Sequence, residues 1–430
     1  MKELKVSIIG FGTVGAGVAD NILKNGDVIA SRSGVKPILA KIASRDMTRD
    51  RGVVIPEGML ITDANEAIAA ADIVVETVGG TTIAKTFVLT ALEAGKSVVT
   101  ANKALIAEHG EELFAVADRT GANIYYEAAV AGGIPIIKAL REGLVSNRIK
   151  SIYGIMNGTC NYILTRMENE GIDFDTILKD AQDLGYAEAE PSLDVDGFDT
   201  AHKASILTSL AYGEWVGMDP LYVEGIRDIT VDDIRHADEL GYRIKLLSVI
   251  KENDGAVESH VNPTLVPKSK LLAQVSGVFN AVAVTGDIVD ETLYYGRGAG
   301  RDATASAVVA DVVDACMNIA ADSNRRIPGF RAGKLFDTFV PMEETQSRYY
   351  LSMTVSDEAG TIAQISKILG DKNISISSIT QKEGKCNSVV PLIILTHISI
   401  EKNMTDALAE VEALAAVNGK VKFIRIEDMS

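Results

Sequence analysis

Residues 5–17 read KVSIIGFGTVGAG, and this stretch decides the fold. Val6, Ile8 and Ile9 form a short apolar run that ends at Gly10, and the following TVGAGVADNILKNG reads as a helix. Between them stand Gly10, Gly12 and Gly15 in the G-x-G-x-x-G spacing. That spacing alone is weak, because a plain turn can carry it. A strand before it and a helix after it form the context a dinucleotide site requires. Gly10 allows the tight turn, Gly12 lets the backbone approach a pyrophosphate, and Gly15 lets helix and strand pack closely. The anion then meets free N–H groups at the helix N-terminus. Gly10, Phe11, Gly12, Thr13, Val14 and Gly15 are therefore candidate cofactor contacts.

Outward from this loop, PILAKIAS, DIVVETV, SVVTAN and NIYYEAAV read as further strands, with helical stretches such as IAKTFVLTALEAGK between them. Nearly continuous apolar strands alternating with helices predict a parallel, doubly wound α/β sheet of Rossmann type. The end of the second strand bears on the cofactor. An acid there suits the ribose hydroxyls of NAD, and an arginine suits the 2′-phosphate of NADP. Arg45 comes first and Asp46 follows, so the reading leans to NADP with NAD as the alternative; a solvated surface arginine is the plainer one.

The expected organisation is a nucleotide-binding domain over 1–134, with 301–321 packing back on it. An α+β catalytic and dimerisation domain follows over 135–321. In it, TVDDIRHADELGYRIKLLSVI reads as a helix with a capping-box start at Thr230 and Asp233. An irregular linker with Pro328 and Pro341 spans 322–347. The order β-α-β-β-α-β over 348–430 predicts a small ferredoxin-like domain.

The bulk numbers narrow the function. The chain has 430 residues, 47% of them hydrophobic and 23% charged, which is ordinary for a globular protein. A net charge of −17 without a basic cluster argues against nucleic-acid binding through phosphate neutralisation. Cys160, Cys316 and Cys386 stand far apart, so neither a disulfide framework nor a zinc site is expected, and the chain reads as reduced and cytoplasmic. The N-terminus lacks a signal-peptide pattern. No run approaches 18 apolar residues, so no membrane span is expected.

Three segments combine polar groups with strand ends or glycines. Lys103 follows Asn102 at the carboxyl end of SVVTAN, the edge where open α/β sheets bind ligands; an ordinary surface lysine is the alternative. Asn157, Gly158 and Thr159 form a polar turn between apolar flanks, by itself an ordinary turn. GYAEAEPSLDVDGFDTAHKASIL, residues 185–207, places Glu188, Asp194 and Asp199 ahead of Lys203. At about 100° per residue, Asp199, Lys203, Ile206 and Leu210 share one stripe of a helix. A buried structural salt bridge is an inefficient route to stability. A functional lysine governed by an aspartate explains the placement better.

Taken together, IIGFGTVGAGV, TANKALIAEHG, YEAAVAGGIPII, GIMNGTCNYILT, GYAEAEPSLDVDGFDTAHK and ELGYRIKLL resemble the homoserine dehydrogenase family over the full length, in its single-activity form with a C-terminal ACT domain. No kinase-like segment precedes residue 1, so the bifunctional form is not expected. The resemblance implies reversible NAD(P)H-dependent reduction of L-aspartate 4-semialdehyde to L-homoserine, towards threonine, methionine and isoleucine. It implies Lys203 as acid/base, with Lys103 and Asp199 beside it. Glu188, Asp194, Thr159 and Lys103 are then candidates for the substrate. Lys103, Gly158, Arg45 and Gly300 join the cofactor candidates. Glu127 and the carbonyls of Val130, Gly132 and Ile134 look like the family's monovalent cation site, usually sodium. Asp357, Gly360 and Asn373 are candidates for an effector site, with threonine the expected effector and simple dimerisation the alternative role of that domain. A homodimer or homotetramer is expected. The chain departs from the family at Ala303, where proline is common. Two rivals stand beside this reading: another NAD(P)-dependent dehydrogenase of a small amino or oxo acid, and a catalytically silent amino-acid sensor.

Overall fold

The computed structural model describes residues 1–381 and 389–429, so Cys386 lies outside the described residues. Two compact units are each assembled from three stretches of chain. The first takes 1–158, 199–219 and 278–337, and the second takes 159–198, 220–277 and 338–430.

The first unit opens with β1 (Lys2–Ile9), α1 (Thr13–Ser33), β2 (Val35–Ala43), β3 (Leu60–Ile61), α2 (Ala64–Ala70), β4 (Ile73–Glu76), α3 (Thr82–Glu93), β5 (Ser97–Thr100), α4 (Lys103–Thr120) and β6 (Ile124–Tyr125). The strands lie in the order β3-β2-β1-β4-β5-β6, every pair parallel. This is the doubly wound order, with its crevice where β1 and β4 part company. β4 (IVVE) and β5 (SVVT) are buried at every residue, so their valines are core while Glu76, Ser97 and Thr100 are buried polar groups. α1 closes at Gly34, whose φ of 75° lies in the left-handed region that favours glycine.

The helix Arg301–Ala320 packs on α1 and β2. Ala305, Val308, Val312 and Cys316 share one apolar cluster with Val6, Ile8 and Val18. A Cβ on Gly17 would stand 2.9 Å from Arg301 Cγ, so this glycine permits the close crossing. By length and mean composition alone this helix could cross a membrane, although it holds no unbroken run of 18 apolar residues. Its alanines and valines are used up by the core instead. Three antiparallel strands, Ile149–Ile155, Phe279–Gly286 and Asp290–Arg297, complete this unit's β structure. The last was not apparent in the sequence, because it is half exposed and lacks alternation.

The helix Phe198–Tyr212 is buried on nearly every side. Ala201, Ser205, Thr208 and Ser209 are covered as well as Asp199, Lys203 and Ile206. The expected stripe is thus part of a helix buried on nearly all of its faces. Two of its hydroxyls find partners one turn back: Thr208 donates to Ala204 O at 2.8 Å and Ser209 to Ser205 O at 2.8 Å.

In the second unit, the stretch expected to be one helix divides. A helix over Val231–Glu239 begins with the Thr230–Asp233 capping box. It stops at Gly241, whose φ is 86°. Tyr242–Asn253 then forms a strand paired throughout with Ala256–Pro267. Pairing with a long partner outweighs the helical reading of RIKLLSVI. The C-terminal segment folds as β-α-β-β-α-β, with its last strand Val417–Ile426 beside Gln346–Ser356, followed by Val389–Thr396 and Ile376–Gln381. Val417–Ile426 also pairs in parallel with Ala256–Pro267 through Thr264 and Arg425. In the expected linker, Thr338–Phe339 pairs with Ala256 and Val257.

A buried charge cluster joins these strands. The Arg425 guanidinium is enclosed, pairs with Glu401, and reaches Glu224 at 2.8 Å. Tyr349 donates to Glu401 at 2.9 Å. Nearby on Ala256–Pro267, His260 is fully enclosed, with Nδ1 2.5 Å from Asn262 Oδ1. Burial, with Lys251 and Arg425 at hand, pushes this imidazole down to about 3.

Candidate active site

The crevice at the carboxyl end of β1 holds a cavity of about 760 Å³, lined by Gly10, Phe11, Gly12, Thr13 and Arg45 among others. A Cβ on Gly10 would lie 2.6 Å from Thr77 O, and one on Gly15 2.0 Å from Gly10 O. Both glycines are required by packing. Gly12 instead faces open space and begins α1 with no side-chain cap. The first-turn N–H groups therefore face the cavity without a competing side chain, the arrangement that suits a pyrophosphate. Volume, cradle and positive charge fit a dinucleotide. Among the expected contacts, Val14, Gly15, Lys103, Gly158 and Gly300 do not line this cavity; Arg301, next to Gly300, does.

Arg49 and Arg51 also line it and were not singled out in the sequence. Asp46, the residue that could serve ribose hydroxyls, is turned into its own loop. Its Oδ1 accepts the Thr48 N–H at 3.0 Å and the Arg49 N–H at 3.1 Å. These bonds hold its carboxyl below the ordinary value. The Arg51 guanidinium lies 5.0 Å over the Phe11 ring and donates to Arg49 O. Arg45 and Arg49 are exposed at the rim. The rim therefore offers arginine charge beside two acids, Asp46 and Asp50, of which Asp46 has one oxygen taken by its own loop.

Lys203, Asp199, Lys103 and Asn157 meet in one cluster. Lys203 Nζ donates to Asp199 Oδ2 at 2.7 Å and to Met156 O at 2.6 Å. Lys103, the first residue of α4, brings its ammonium to 3.1 Å from Asp199 Oδ1. Asn157 donates to Asp199 Oδ2 at 2.8 Å. Burial favours the protonated acid here, but Lys203, Lys103 and these hydrogen bonds outweigh it and hold Asp199 well below the usual carboxylate range. Asp199 is a fixed anion with a lysine on each oxygen. Two of the three N–H bonds of Lys203 are thereby directed. Sequence reading missed the Met156 carbonyl and the contact from Asn157, since neither follows from local spacing.

Thr159 and Asp194 come together in the second unit. Thr159 donates to Tyr186 O at 2.7 Å and stands 3.4 Å from Asp194 Oδ2. The buried Cys160 thiol donates to Asp194 O at 3.1 Å. Glu188, in the same unit, is exposed.

Glu127 is buried, and its two oxygens accept the N–H groups of Ile137 and Lys138, each at 2.8 Å. Burial pushes its carboxyl up to about 7. Its backbone N–H donates to the equally buried Asp311 at 2.8 Å. Val130, Gly132 and Ile134 form the adjoining turn, with Ala131 and Gly132 both at φ 53°. Among the described residues no group of three or more His, Cys, Asp or Glu could hold a metal. A cation here would rest on main-chain oxygens of this turn, a donor type that suits a hard ion. Ala303 lies in the first turn of Arg301–Ala320, where the N–H makes no helical bond, so alanine and proline both fit.

In the C-terminal domain Asp357 accepts from Gln381 at 3.1 Å. Gly360, φ 95°, begins the helix Thr361–Asp371. Asn373 lies beyond the other end of that helix, about 18 Å away at 1.5 Å per residue. The structure does not bring it to Asp357 and Gly360.

Comparison with known proteins places the chain in a family. The homoserine dehydrogenase family matches residues 135–313, its NAD-binding domain residues 10–127, and the ACT domain residues 349–416. A homoserine dehydrogenase of Pseudomonas aeruginosa is 47% identical, with 100% of both chains covered. The crystal structure of a homoserine dehydrogenase from Thiobacillus denitrificans is similar with a TM-score of 0.95 and 45% identity, covering 100% of this chain and 99% of the other. A hyperthermophilic archaeal homoserine dehydrogenase in complex with NADPH is similar at TM-score 0.60 and 29% identity, covering 73% of this chain and 97% of the other.

Proposed function

Because the chain belongs to the homoserine dehydrogenase family, we propose that Lys203 is its acid/base, governed by Asp199, and that NADPH is its preferred cofactor. The enzyme is an NAD(P)-dependent oxidoreductase that interconverts L-aspartate 4-semialdehyde and L-homoserine. The observation that carries the reading is the buried carboxylate of Asp199 with Lys203 at 2.7 Å and Lys103 at 3.1 Å.

When bound, the nicotinamide supplies the hydride. Lys203, as an ammonium, donates the proton to the alkoxide that forms at the aldehyde oxygen; in the reverse direction its amine takes the hydroxyl proton. Asp199 and the Met156 carbonyl direct it, so that its remaining N–H points to substrate. Lys103 adds positive charge where the oxyanion forms. Asp194, Thr159 and Glu188 take the substrate's amino-acid end, the acids pairing with the ammonium. Arg45 and Arg49, exposed at the rim, support NADPH over NADH, since each can answer a 2′-phosphate.

Threonine, as the end product, is the proposed effector of the ACT domain, at the Asp357–Gly360 end of its first helix. A monovalent cation, sodium by its oxygen donors, is proposed at the 127–134 turn in a structural role. A cytoplasmic homodimer or homotetramer is proposed, in keeping with the buried Cys316 thiol and Cys160, whose thiol donates to Asp194 O, and with the usual symmetry of enzymes. The test is homoserine-dependent reduction of NADP against NAD, with and without threonine. Faster turnover with NADP and inhibition by threonine are expected. Equal use of both cofactors would overturn the preference, and indifference to threonine in rate and melting temperature would overturn the effector.

A further inference from the structure

Glu76 is the last residue of β4, fully enclosed, and plays no part in the mechanism above. Its Oε1 accepts the Val78 N–H at 2.7 Å and the Gly79 N–H at 3.3 Å. Its Oε2 accepts the Thr100 hydroxyl at 2.6 Å. The Thr100 oxygen in turn accepts the Asn102 N–H at 3.0 Å. Asn102 then acts twice: its amide donates to Gly80 O at 2.7 Å, and its Oδ1 accepts the Leu105 N–H at 3.2 Å, capping α4. Lys103 is the first residue of that helix.

One buried carboxylate thus ties together two loops at the carboxyl edge of the sheet. One loop carries Thr77 and Val78, which line the dinucleotide cavity. The other begins the helix whose first side chain reaches Asp199 at 3.1 Å. A buried carboxylate has a heavy desolvation penalty unless its acceptors are filled, and burial raises its pKa. An apolar residue at the end of β4 would hold the sheet together as well. Three donors converging on this carboxylate instead fix the direction in which α4 starts.

We propose that Glu76 is a positioning residue for catalysis: through Thr100 and Asn102 it sets the place of the Lys103 ammonium. The inference rests on the reading of Lys103 as an active-site group. A displacement of about 1 Å at such a group can lower turnover by up to about two orders of magnitude. The Thr100 link can be cut without touching either end of the chain of bonds. Thr100→Val removes the hydroxyl at nearly constant volume, and Thr100→Ser restores it. Glu76→Gln replaces the acceptor facing Thr100 with a donor once its oxygen faces Val78 and Gly79.

The experiment measures kcat and the NADPH dissociation constant of the full-length enzyme. Thr100→Val and Glu76→Gln are each expected to lower kcat about tenfold, with NADPH affinity within about twofold of the parent. Thr100→Ser is expected to regain most of the loss. In a Lys103→Met background, Thr100→Val should lower kcat no further, because the group it positions is gone. Unchanged kcat in Thr100→Val, or an undiminished loss in the Lys103→Met background, would overturn the proposal alone. A Lys103→Met enzyme of normal kcat would overturn it together with the reading of Lys103. If Glu76→Gln does not fold, the Thr100 pair decides.

Discussion

Lys203 donates to Asp199 Oδ2 across 2.7 Å, one helical turn apart and almost without solvent. The opposite oxygen of the same carboxylate faces Lys103. A lone buried ion pair would be a poor investment for stability. Two lysines sharing one aspartate at a helix start make a device for holding a proton donor. Lys203→Met is expected to lower kcat by about 10²–10⁴-fold while NADPH still binds, as measured by nucleotide fluorescence. Asp199→Asn should lower kcat by less, because Met156 O still directs the ammonium. A Lys203→Met enzyme with near-normal turnover would sink the assignment.

Cofactor choice should reside at the rim of the cavity. Arg45→Ser and Arg49→Ser are each expected to raise the KM for NADPH about tenfold, the scale of one charge-assisted hydrogen bond. The KM for NADH should stay within about twofold, since NADH carries no 2′-phosphate. Equal losses with both cofactors would show that these arginines only support the loop.

His260 gives the second unit an acid-sensitive element. Folded, it stays neutral down to about 3; unfolded, it takes a proton near 6.5. Below pH 6.5 the unfolded chain therefore binds more protons, and stability falls as pH drops towards 3. His260→Gln should flatten the decline in urea midpoint between pH 6.5 and 5. Parallel pH profiles for the two proteins would contradict this.

Arg425 is the cation that Glu401 and Glu224 share. Arg425→Met leaves Glu401 buried without its charge partner and should destabilise the second unit by about 3–5 kcal/mol. Adding Glu401→Leu should recover much of that loss, because the stranded charge goes with it. Denaturant melts followed by circular dichroism measure both. If the double variant is less stable than the single one, the buried pair contributes through something other than charge balance.

Much of the site was legible because it is local. Gly10, Gly12 and Gly15 stand next to one strand, and Asp199 and Lys203 share one helix turn, so spacing alone exposed them. Asn157 and the Met156 carbonyl were hidden because a contact across 42 or 47 residues leaves no mark in periodicity. Glu76 was read as part of a strand, and only the neighbouring strand supplies its Thr100 partner. The fold failed to declare itself where pairing overrides propensity, as at Tyr242–Asn253 beyond Gly241. It was equally silent at the half-exposed edge Asp290–Arg297, where neither face is cleanly apolar.

The helix Arg301–Ala320 closes the apolar cluster that β1 and α1 begin. On a ribosome the first sheet emerges long before this helix does. About two hundred residues separate the end of that sheet from Ala320, which at 5–20 residues per second is a wait of about 10–40 s. For that interval the face formed by α1 and β2 is bare, although the finished loop closure adds little further entropy cost with length. The apolar cluster of the nucleotide fold is therefore completed only after the chain has been extended about two hundred residues past the sheet it covers.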